Sequence, residues 1–591
     1  FFIDRGITPA SGNPAGTFTP LPATERNAIV AAGFPAAFFD GNTSNGEAGT
    51  VQISAAPPIN IEQNAFLVRT DHHLTDKLTA NVRYSFARSF VTAGSATPLD
   101  TQVAPRQYQS AAIQLNYNLT PAQVLEIRGG VLRNRFQQFT KGGIDQRLQA
   151  LGVSSEYGIL VTAGPSSAPF FRAAVNGAFI DNQTTPQLSV LHTWQRGNMT
   201  WRSGADLRSI HNNVANISSG QSVFEFTNSL VGANGIYGAN PQATDTVTVS
   251  TRLTSYGNNG SGPTTPMRGY RSRQQEYFVQ NDWRVRRDLT LNLGLRYSFF
   301  GVWSEVNNAL SNLFAVDGAG NVVPDVNPFK FGRTQNRIVR LTDDLRYYNP
   351  DYNNFQPRLG FAYDLFGKGR TIVRAGYGWY YDRLIQIQFT AAVGNVPYAI
   401  SSNTANVPFR LSQALPITAA ANPAITAVNP EVENARTDRW NIAVEQQLGK
   451  DTSVTVAYVG MRTNNLLSQA QPNGFGGFPT AARPDPRFTT QQLIDNLNLS
   501  RYRALQITAK RRFARGLDFT AAYTLGEAKD NNSRDSFTTF PTFLNSAANP
   551  SQSGVQGTGA NFVARDPGAD FGLSEFDVRH NLTFTHVLEL P

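Results

Sequence analysis

The stretch Leu289–Tyr297, LTLNLGLRY, alternates strictly between apolar and polar side chains. The odd-numbered residues are all leucine or tyrosine, and the even-numbered residues are Thr290, Asn292, Gly294 and Arg296. Successive side chains of a β-strand face opposite sides, so this stretch predicts a strand with one wholly apolar face. A slip of one residue would invert every side chain, and the alternation therefore also fixes the register.

The same alternation recurs along the chain in segments of about ten residues, the length that lets a tilted strand span a bilayer. It is clear in Leu78–Phe86, Ala111–Leu119, Val373–Tyr381 and Leu517–Leu525. The polar faces also carry charge, as in the stretch that contains Arg202, Asp206 and Arg208. One apolar face and one charged face per strand favour a sheet whose apolar side contacts lipid and whose polar side encloses a hydrated interior.

Short turns and long loops alternate between these strands. The predicted turns are His72–Lys77, Thr120–Gln123, Arg196–Asn198, Arg286–Asp288, Leu365–Arg370, Gly449–Thr452 and Ala514–Gly516. The predicted long loops, rich in Gly, Asn, Ser, Thr and Pro, include Asn212–Arg271, Gly301–Asn354, Arg383–Arg436 and Glu527–Phe576. Outer-membrane barrels have short periplasmic turns and longer extracellular loops. The sequence therefore predicts an all-β protein, a large antiparallel transmembrane β-barrel with about fifteen strands, the last from Arg579 to Glu589.

Composition supports this fold class. Of the 591 residues 40% are apolar and only 16% are charged, against about 25% charged in ordinary soluble chains. Apolar runs stay below the roughly 18 residues that a membrane-spanning helix needs, which excludes a helical membrane protein. The chain has no cysteine, which excludes disulfides and thiolate metal sites. The net charge of +9 fits either arginines spread along a barrel interior or an electropositive surface that attracts anions.

Tryptophan positions predict where the membrane interfaces lie. Trp194 and Trp283 come just before short turns and Trp201 just after one. Trp379 and Trp440 lie about eight residues from their turns, near the opposite interface. We predict that these five residues form the aromatic girdles of the barrel.

No pattern of catalytic or metal-binding residues emerges. The six histidines are scattered and no His-Glu-x-x-His motif exists. We therefore expect no enzyme activity, no cofactor and no metal site. Ligand-binding residues stay unidentified, although loop aromatics such as Phe224, Phe226, Tyr237 and Tyr270 are placed to make first contact with a ligand.

Several segments, in family order, resemble the Oar-like branch of TonB-dependent outer-membrane receptors. They are Asn64–Phe86, Tyr277–Tyr297, Asn353–Asp364 (NNFQPRLGFAYD), Thr371–Arg383 (TIVRAGYGWYYDR), Trp440–Gly460, Ala504–Asp530 and Phe576–Pro591. The resemblance implies a barrel of about 22 strands in the outer membrane of a Gram-negative bacterium, with a plug in its lumen. It also implies energised uptake of a small molecule, oligosaccharide or peptide, driven by the inner-membrane TonB complex.

Against that family pattern, we expect residues 1–591 to form a partial barrel domain. Residues 1–60 are expected to be an extracellular loop region and residues 61–591 the barrel strands and loops. The plug, the segment that contacts the TonB complex and about seven strands of the family's count are then expected outside this chain.

Two other interpretations remain open at this stage. A plug-free, porin-like channel would share the alternating strands and would conduct passively. A secreted multi-domain β-sandwich adhesin would instead pack the apolar rows against one another in dry cores.

Overall fold

The structure is a computed structural model that describes residues 59–94, 101–141, 179–216, 267–328, 336–402, 422–470, 485–489, 491–514, 516–533 and 571–589, together with short strands elsewhere. Fifteen long strands dominate it, the number that the sequence predicts. They are β1 (Ile59–Thr75), β2 (Leu78–Gly94), β3 (Thr101–Thr120), β4 (Gln123–Lys141), β5 (Phe179–Arg196), β6 (Met199–Asn216), β7 (Arg268–Arg286), β8 (Leu289–Phe300), β9 (Phe355–Asp364), β10 (Thr371–Asp382), β11 (Ala435–Leu448), β12 (Thr452–Ala470), β13 (Gln491–Ala514), β14 (Leu517–Asp530) and β15 (His580–Leu588).

Short elements lie between these strands. A 3-10 helix, η1, spans Gln386–Gly394. The short strands are Arg5–Ile7, Phe18–Pro20, Tyr157–Thr162, Pro169–Ala173, Ser222–Thr227, Val231–Gly232, Gly235–Ile236, Val249–Thr251, Leu253–Tyr256, Ser304–Glu305, Ser311–Val316, Val322–Val323, Asn336–Arg340, Ala399–Ser402, Ile425–Val428, Val555–Gln556, Val563–Ala564 and Gly572–Leu573. Among the described residues, no helix is long and apolar enough to cross a membrane.

The fifteen strands form one barrel sheet in which each strand pairs antiparallel with the next along the chain. Three short strands join the sheet, and one of them, Ile425–Val428, runs parallel to β13. In the described part of the chain, β1 pairs only with β2 and β15 only with β14, so no backbone ladder links the two outer strands. This all-β antiparallel barrel confirms the predicted fold class.

All seven short turns lie at one end of the barrel, as predicted. A backbone carbonyl of each turn also accepts a hydrogen bond from a backbone amide of the next paired segment along the sheet. The amide of Asn118 in β3, for example, bonds the oxygen of Lys77 in the first turn at 2.8 Å, and Glu589 bonds Gly516 in the last turn at the same distance. These bonds extend the ladder to the edge of the barrel, so this rim is even and compact.

The apolar rows face outward and are exposed. Leu293 and Leu295 of β8, Val279 and Tyr277 of β7 and Ile442 of β11 each expose 40–48% of their surface. Large apolar side chains in adjacent strands form this continuous belt, which only lipid can cover favourably. The β-sandwich adhesin interpretation is therefore wrong, because it requires these rows to meet in a dry core.

Most strands are longer than the ten residues expected. The expectation is met by β9, with 10 residues, whereas β13 has 24. The extra residues continue the ladders at the long-loop end, where the sequence predicted loops. Beyond the lipid both faces of a strand meet polar surroundings, so apolar alternation no longer marks a strand there. Of the predicted loop region, residues 1–60, the last two begin strand β1, and the rest lies outside the described residues except for two short strands.

Candidate functional site in the lumen and its extracellular cap

The inner face of the barrel carries a continuous polar strip. It comprises Asp206 and Arg208 on β6, Glu276 on β7, Arg296 and Ser298 on β8, and Gln356 and Arg358 on β9. These residues alternate with the exposed apolar rows, so they face the lumen. We call this set the luminal strip.

Glu276 is the centre of the luminal strip. Its carboxylate accepts two hydrogen bonds from the guanidinium of Arg296, one of them at 2.8 Å, and a third from Ser298 Oγ at 3.1 Å. Arg208 lies 3.9 Å from its other oxygen. The Glu276 side chain is only 11% exposed, and a carboxylate so enclosed needs paired cations and donors to offset its lost hydration.

Hydrogen bonds extend the strip to both sides. Arg208 Nε donates to Asp206 at 2.8 Å. On the other side, Gln356 Nε2 donates to Ser298 Oγ at 2.8 Å, and Arg358 Nη2 contacts Gln356 Oε1 at 3.3 Å. Side-chain contacts on the inner face thereby connect four adjacent strands, β6 to β9, in addition to their backbone ladders.

Next to the strip, the wall recedes into a shallow recess of about 230 Å³. Its floor consists of glycines on three adjacent strands, namely Gly294, Gly360, Gly376 and Gly378. Two arginines flank the ring of Tyr380, with guanidinium carbons 4.5 Å (Arg358) and 5.1 Å (Arg439) from its centroid. Glycine in a strand interior often marks the close approach of a ligand or of another backbone. The recess therefore offers a floor without side chains, bordered by cations and one aromatic ring.

At the extracellular end of the barrel, several loops pack together into one folded unit, which we call the cap. Its apolar core comprises Ile210, Tyr270, Trp303, Leu310, Phe314, Leu341, Tyr347, Tyr348, Leu384, Phe389, Ala392, Val428, Val432, Leu467 and Ile494. Ile210 (β6) and Tyr270 (β7) are even-numbered like the luminal residues of their strands, so the cap packs against the inner wall. Leu467 (β12) and Ile494 (β13) belong to the same core, which therefore reaches across the mouth above β8–β11.

Stacked rings and buried amides hold the cap together. The ring of Phe389 lies 5.6 Å from that of Tyr347 and 5.2 Å from that of Tyr348, both nearly parallel to it. The indole of Trp303 donates to Leu384 O at 2.8 Å. Burial raises the pKa of Tyr348 well above its ordinary value.

Two asparagines join separate loops within the cap. The fully buried Asn312 both donates to and accepts from the backbone of Val428, each time at 2.9 Å. Asn395 in the same way bonds the oxygens of Ser311 and Thr426 and accepts from the amide of Thr426. Side-chain amides with every partner satisfied rigidify a buried region. The cap is therefore a packed unit.

The tryptophans predicted as girdle residues all lie on the outward face. Trp194 and Trp201 are cross-strand partners beside the third turn, and Trp283 lies opposite Met199 on the next strand. Near the other end, Trp379 donates to Tyr377 Oη at 2.7 Å, and Trp440 lies against Gly460, where a Cβ atom would collide with its indole. These positions are compatible with two girdles, which remain a prediction.

The sequence interpretation missed the cap. Tyr270 was expected to meet a ligand first, but it is fully buried in the cap core. The side chains of Phe224, Phe226 and Tyr237 lie outside the described residues. The sixth tryptophan, Trp303, and the Tyr347-Tyr348 pair lie in a predicted loop, and such bulky residues in a polar loop are the signal that could have indicated a folded cap.

Comparison with protein families identifies the barrel. The family model described as "Outer membrane beta barrel domain" matches residues 5–591. The chain belongs to this outer membrane beta barrel domain family. It is therefore located in the outer membrane of a Gram-negative bacterium, in agreement with the exposed apolar belt.

Solved structures resemble this outer membrane beta barrel domain in fold. The outer membrane transporter YddB from Escherichia coli superposes with a TM-score of 0.53 at 11% identity, over 89% of this chain and 55% of YddB. The siderophore receptor PiuA from Acinetobacter baumannii gives a TM-score of 0.40 at 10% identity, over 80% of this chain and 57% of PiuA. The chain thus spans a little over half the length of these proteins. No curated protein matches its sequence.

Proposed function

We propose that this barrel is the wall of a gated outer-membrane transporter that takes up a ligand from outside the cell. The cap carries this proposal. A barrel of fifteen or more strands is too wide for its own side chains to fill. Its mouth is nevertheless bridged by a buried apolar core that joins β6 and β7 to β12 and β13. A passive pore needs an open mouth, whereas a gated transporter needs a cover that moves.

We further propose that the gating is that of the TonB-dependent receptors, which this sequence resembles. A plug encoded outside residues 1–591 would fill the lumen and contact the luminal strip. At the turn end, a second luminal recess of about 450 Å³ presents Arg370, Lys450, Lys510 and Arg512 beside Asp451 and Asp518. Mixed charges of this kind suit a polar protein surface that must slide or detach. The TonB complex would act on a segment that accompanies this plug.

The ligand enters this proposal only as a chemical class. The glycine recess between Arg358, Tyr380 and Arg439 offers a flat floor, two cations and a ring face. These groups suit a small molecule, oligosaccharide or peptide that carries an anionic group. The barrel needs no catalytic residue for this role, in keeping with transport without enzymatic chemistry.

The test uses the full-length protein in liposomes and in cells. Arabinose should enter proteoliposomes no faster than it enters empty liposomes, because plug and cap together block free flux. In whole cells, the protein should cross-link to TonB, and deletion of the segment that contacts TonB should abolish this cross-link. Rapid arabinose entry without a cross-link to TonB would instead support the porin-like alternative and refute gated uptake.

A further inference from the structure

Four polar side chains are buried together where the cap meets the inner wall. Asn212 of β6 and Tyr270 of β7 are cross-strand partners on the luminal face. Gln386 at the start of η1 and Tyr347 belong to the loops, and Asn212 Nδ2 donates to Gln386 Oε1 at 3.4 Å. None of the four exposes more than 5% of its surface. We call these four residues the seam.

One polar atom of each seam residue has no hydrogen-bond partner among the described residues. These atoms are Asn212 Oδ1, Tyr270 Oη, Tyr347 Oη and Gln386 Nε2. Burial raises the pKa of both phenols, and each phenol also shifts the pKa of the other, so the two hydroxyls lie close together. The seam therefore brings polar groups near one another without completing their hydrogen bonds. Such buried groups lose the hydration that they have in water and gain nothing in exchange.

The tyrosine next in sequence provides a direct contrast. Tyr347 and Tyr348 both stack on the ring of Phe389. The hydroxyl of Tyr348 accepts a hydrogen bond from the backbone amide of Trp303 at 3.3 Å, whereas that of Tyr347 has no partner in the described part of the chain. The two residues thus share one aromatic stack and differ in whether the hydroxyl is satisfied.

The amides that join the cap loops to one another differ from the seam in the same respect. The side chain of Asn312 bonds the backbone of Val428 through both its oxygen and its nitrogen. Asn395 likewise uses its oxygen and its nitrogen to bond Thr426. The loops are therefore held to each other by complete hydrogen bonds, whereas the seam between the loops and the wall leaves polar atoms unsatisfied.

We propose that the seam is a release device that favours separation of Tyr347 and η1 from β6 and β7. Water would then bond the four polar groups, so separation removes the cost of their burial. The apolar core opposes separation, because Phe389 and its neighbours would lose their packing. The closed cap is consequently only marginally stable, as a cover that opens has to be. The inference rests on the proposed function in treating the cap as a moving cover.

The test measures how often the cap opens in whole cells that express the full-length protein. Residues 1–591 contain no cysteine, so Ala392→Cys places a new thiol in the cap core, where Ala392 is 1% exposed. A bulky, membrane-impermeant maleimide added outside the cells can label this thiol only when the cap opens. When opening and closing are faster than labelling, the labelling rate follows the population of the open form. The protein with Ala392 unchanged gives the background.

Tyr347→Phe in the Ala392→Cys protein removes a hydroxyl without a partner and keeps the stacked ring. Labelling should become at least about fivefold slower, because the closed cap no longer buries that group. The matched change Tyr348→Phe leaves the amide of Trp303 unpaired, so labelling should become faster. Heat-modified gel mobility should show that both variants are folded. Labelling of Tyr347→Phe that is as fast as in Ala392→Cys alone, or equal slowing by both changes, would overturn the proposal.

The labelling experiment requires neither TonB nor a transported ligand, so its result is separable from the proposed function. If Tyr347→Phe does not slow labelling while arabinose stays excluded and the cross-link to TonB forms, the seam is refuted and gated uptake stands. If arabinose enters rapidly and no cross-link forms, gated uptake is refuted whatever the labelling rates.

Discussion

At the scale of single residues, the face on which a side chain lies decides its energetics. Val456 and Thr455 are neighbours in β12, but Val456 is 42% exposed to lipid whereas Thr455 faces the lumen opposite Glu445. A charge in the middle of the lipid belt loses its hydration, whereas a charge in the lumen keeps it. The two positions therefore form a matched pair in which only the side of the wall differs.

We expect Val456→Arg to lower the free energy of unfolding by about 2–4 kcal/mol, the cost of an arginine at the membrane midplane. Thr455→Arg should change it by less than about 1 kcal/mol, because the new cation gains Glu445 as a neighbour. Denaturant titration of the full-length protein in phosphatidylcholine vesicles, followed by tryptophan fluorescence, measures both values. Equal losses for the two variants would contradict the assignment of the faces.

Residue faces were the part of the molecule that the sequence predicted best. The period of two is a local property of the chain. The sequence alone therefore predicts that Leu293 and Asn292 lie on opposite faces, without any knowledge of the adjacent strands. The net charge of +9, in contrast, could not show on which faces the arginines lie.

At the scale of elements, the hairpin turns are held by backbone geometry. Gly449 opens the turn between β11 and β12 with a φ of +73°. A Cβ atom there would meet nothing within 4 Å, so any cost of a side chain comes from the backbone conformation alone. The left-handed region is costly for residues with a Cβ, and most of all for β-branched ones.

Gly449→Val should therefore destabilise the barrel by about 1–2 kcal/mol. Lys450→Val, one position along the same turn, should cost less than half of that, since Lys450 has no positive φ. The readout is the midpoint of urea unfolding in vesicles, compared at unchanged slope. If Lys450→Val destabilised the barrel as much as Gly449→Val, the cost of valine in this turn would not come from the positive φ of Gly449.

The sequence predicted elements well within the membrane and poorly beyond it. Each predicted turn matches an observed one to within a few residues, because Gly, Asp and Asn mark turns locally. The extension of β13 to Gln491 could not be predicted, since its residues no longer alternate between lipid and lumen. There the strand continues because it pairs with β12, and a pattern read within a single segment does not show such a pairing.

At the scale of the whole molecule, the cap is the packed unit that the long loops form at the extracellular end of the barrel. Phe389 is fully buried between two tyrosine rings at its centre. Removal of such a ring from a packed core costs roughly 3–5 kcal/mol locally. The wall meets the cap through Ile210, Tyr270, Leu467 and Ile494, whereas the backbone ladders between the long strands do not run through the cap, so the cap can loosen while the sheet persists.

Phe389→Ala should make the loop Arg383–Arg436 sensitive to externally added protease, while the barrel retains its heat-modified gel mobility. Ile387→Ala is the matched control in the same short helix, because Ile387 is 49% exposed and its truncation leaves no cavity. Cleavage is measured on whole cells that express the full-length protein. Equal resistance of the wild type and Phe389→Ala would show that Phe389 does not hold the cap closed.

The cap lay beyond the reach of sequence reasoning for a physical reason. Its contacts join residues that are far apart along the chain, such as Asn312 and Val428 or Trp303 and Leu384. Hydrophobic periodicity reports only neighbours in sequence, and these loops have no period. The glycine recess was hidden for the same reason, since Gly294, Gly360 and Gly376 meet only after three strands have paired.

One shared apolar core supports all the loops that contribute to the cap. Loops next to β6 and β7 and segments next to β12 and β13 share this one core, so one loop cannot move away while the others stay in place. Admission of a ligand should accordingly be all-or-none, with a single threshold force or binding energy that frees every loop at once. A transporter built this way would resist gradual leakage of small solutes and still open fully for its ligand.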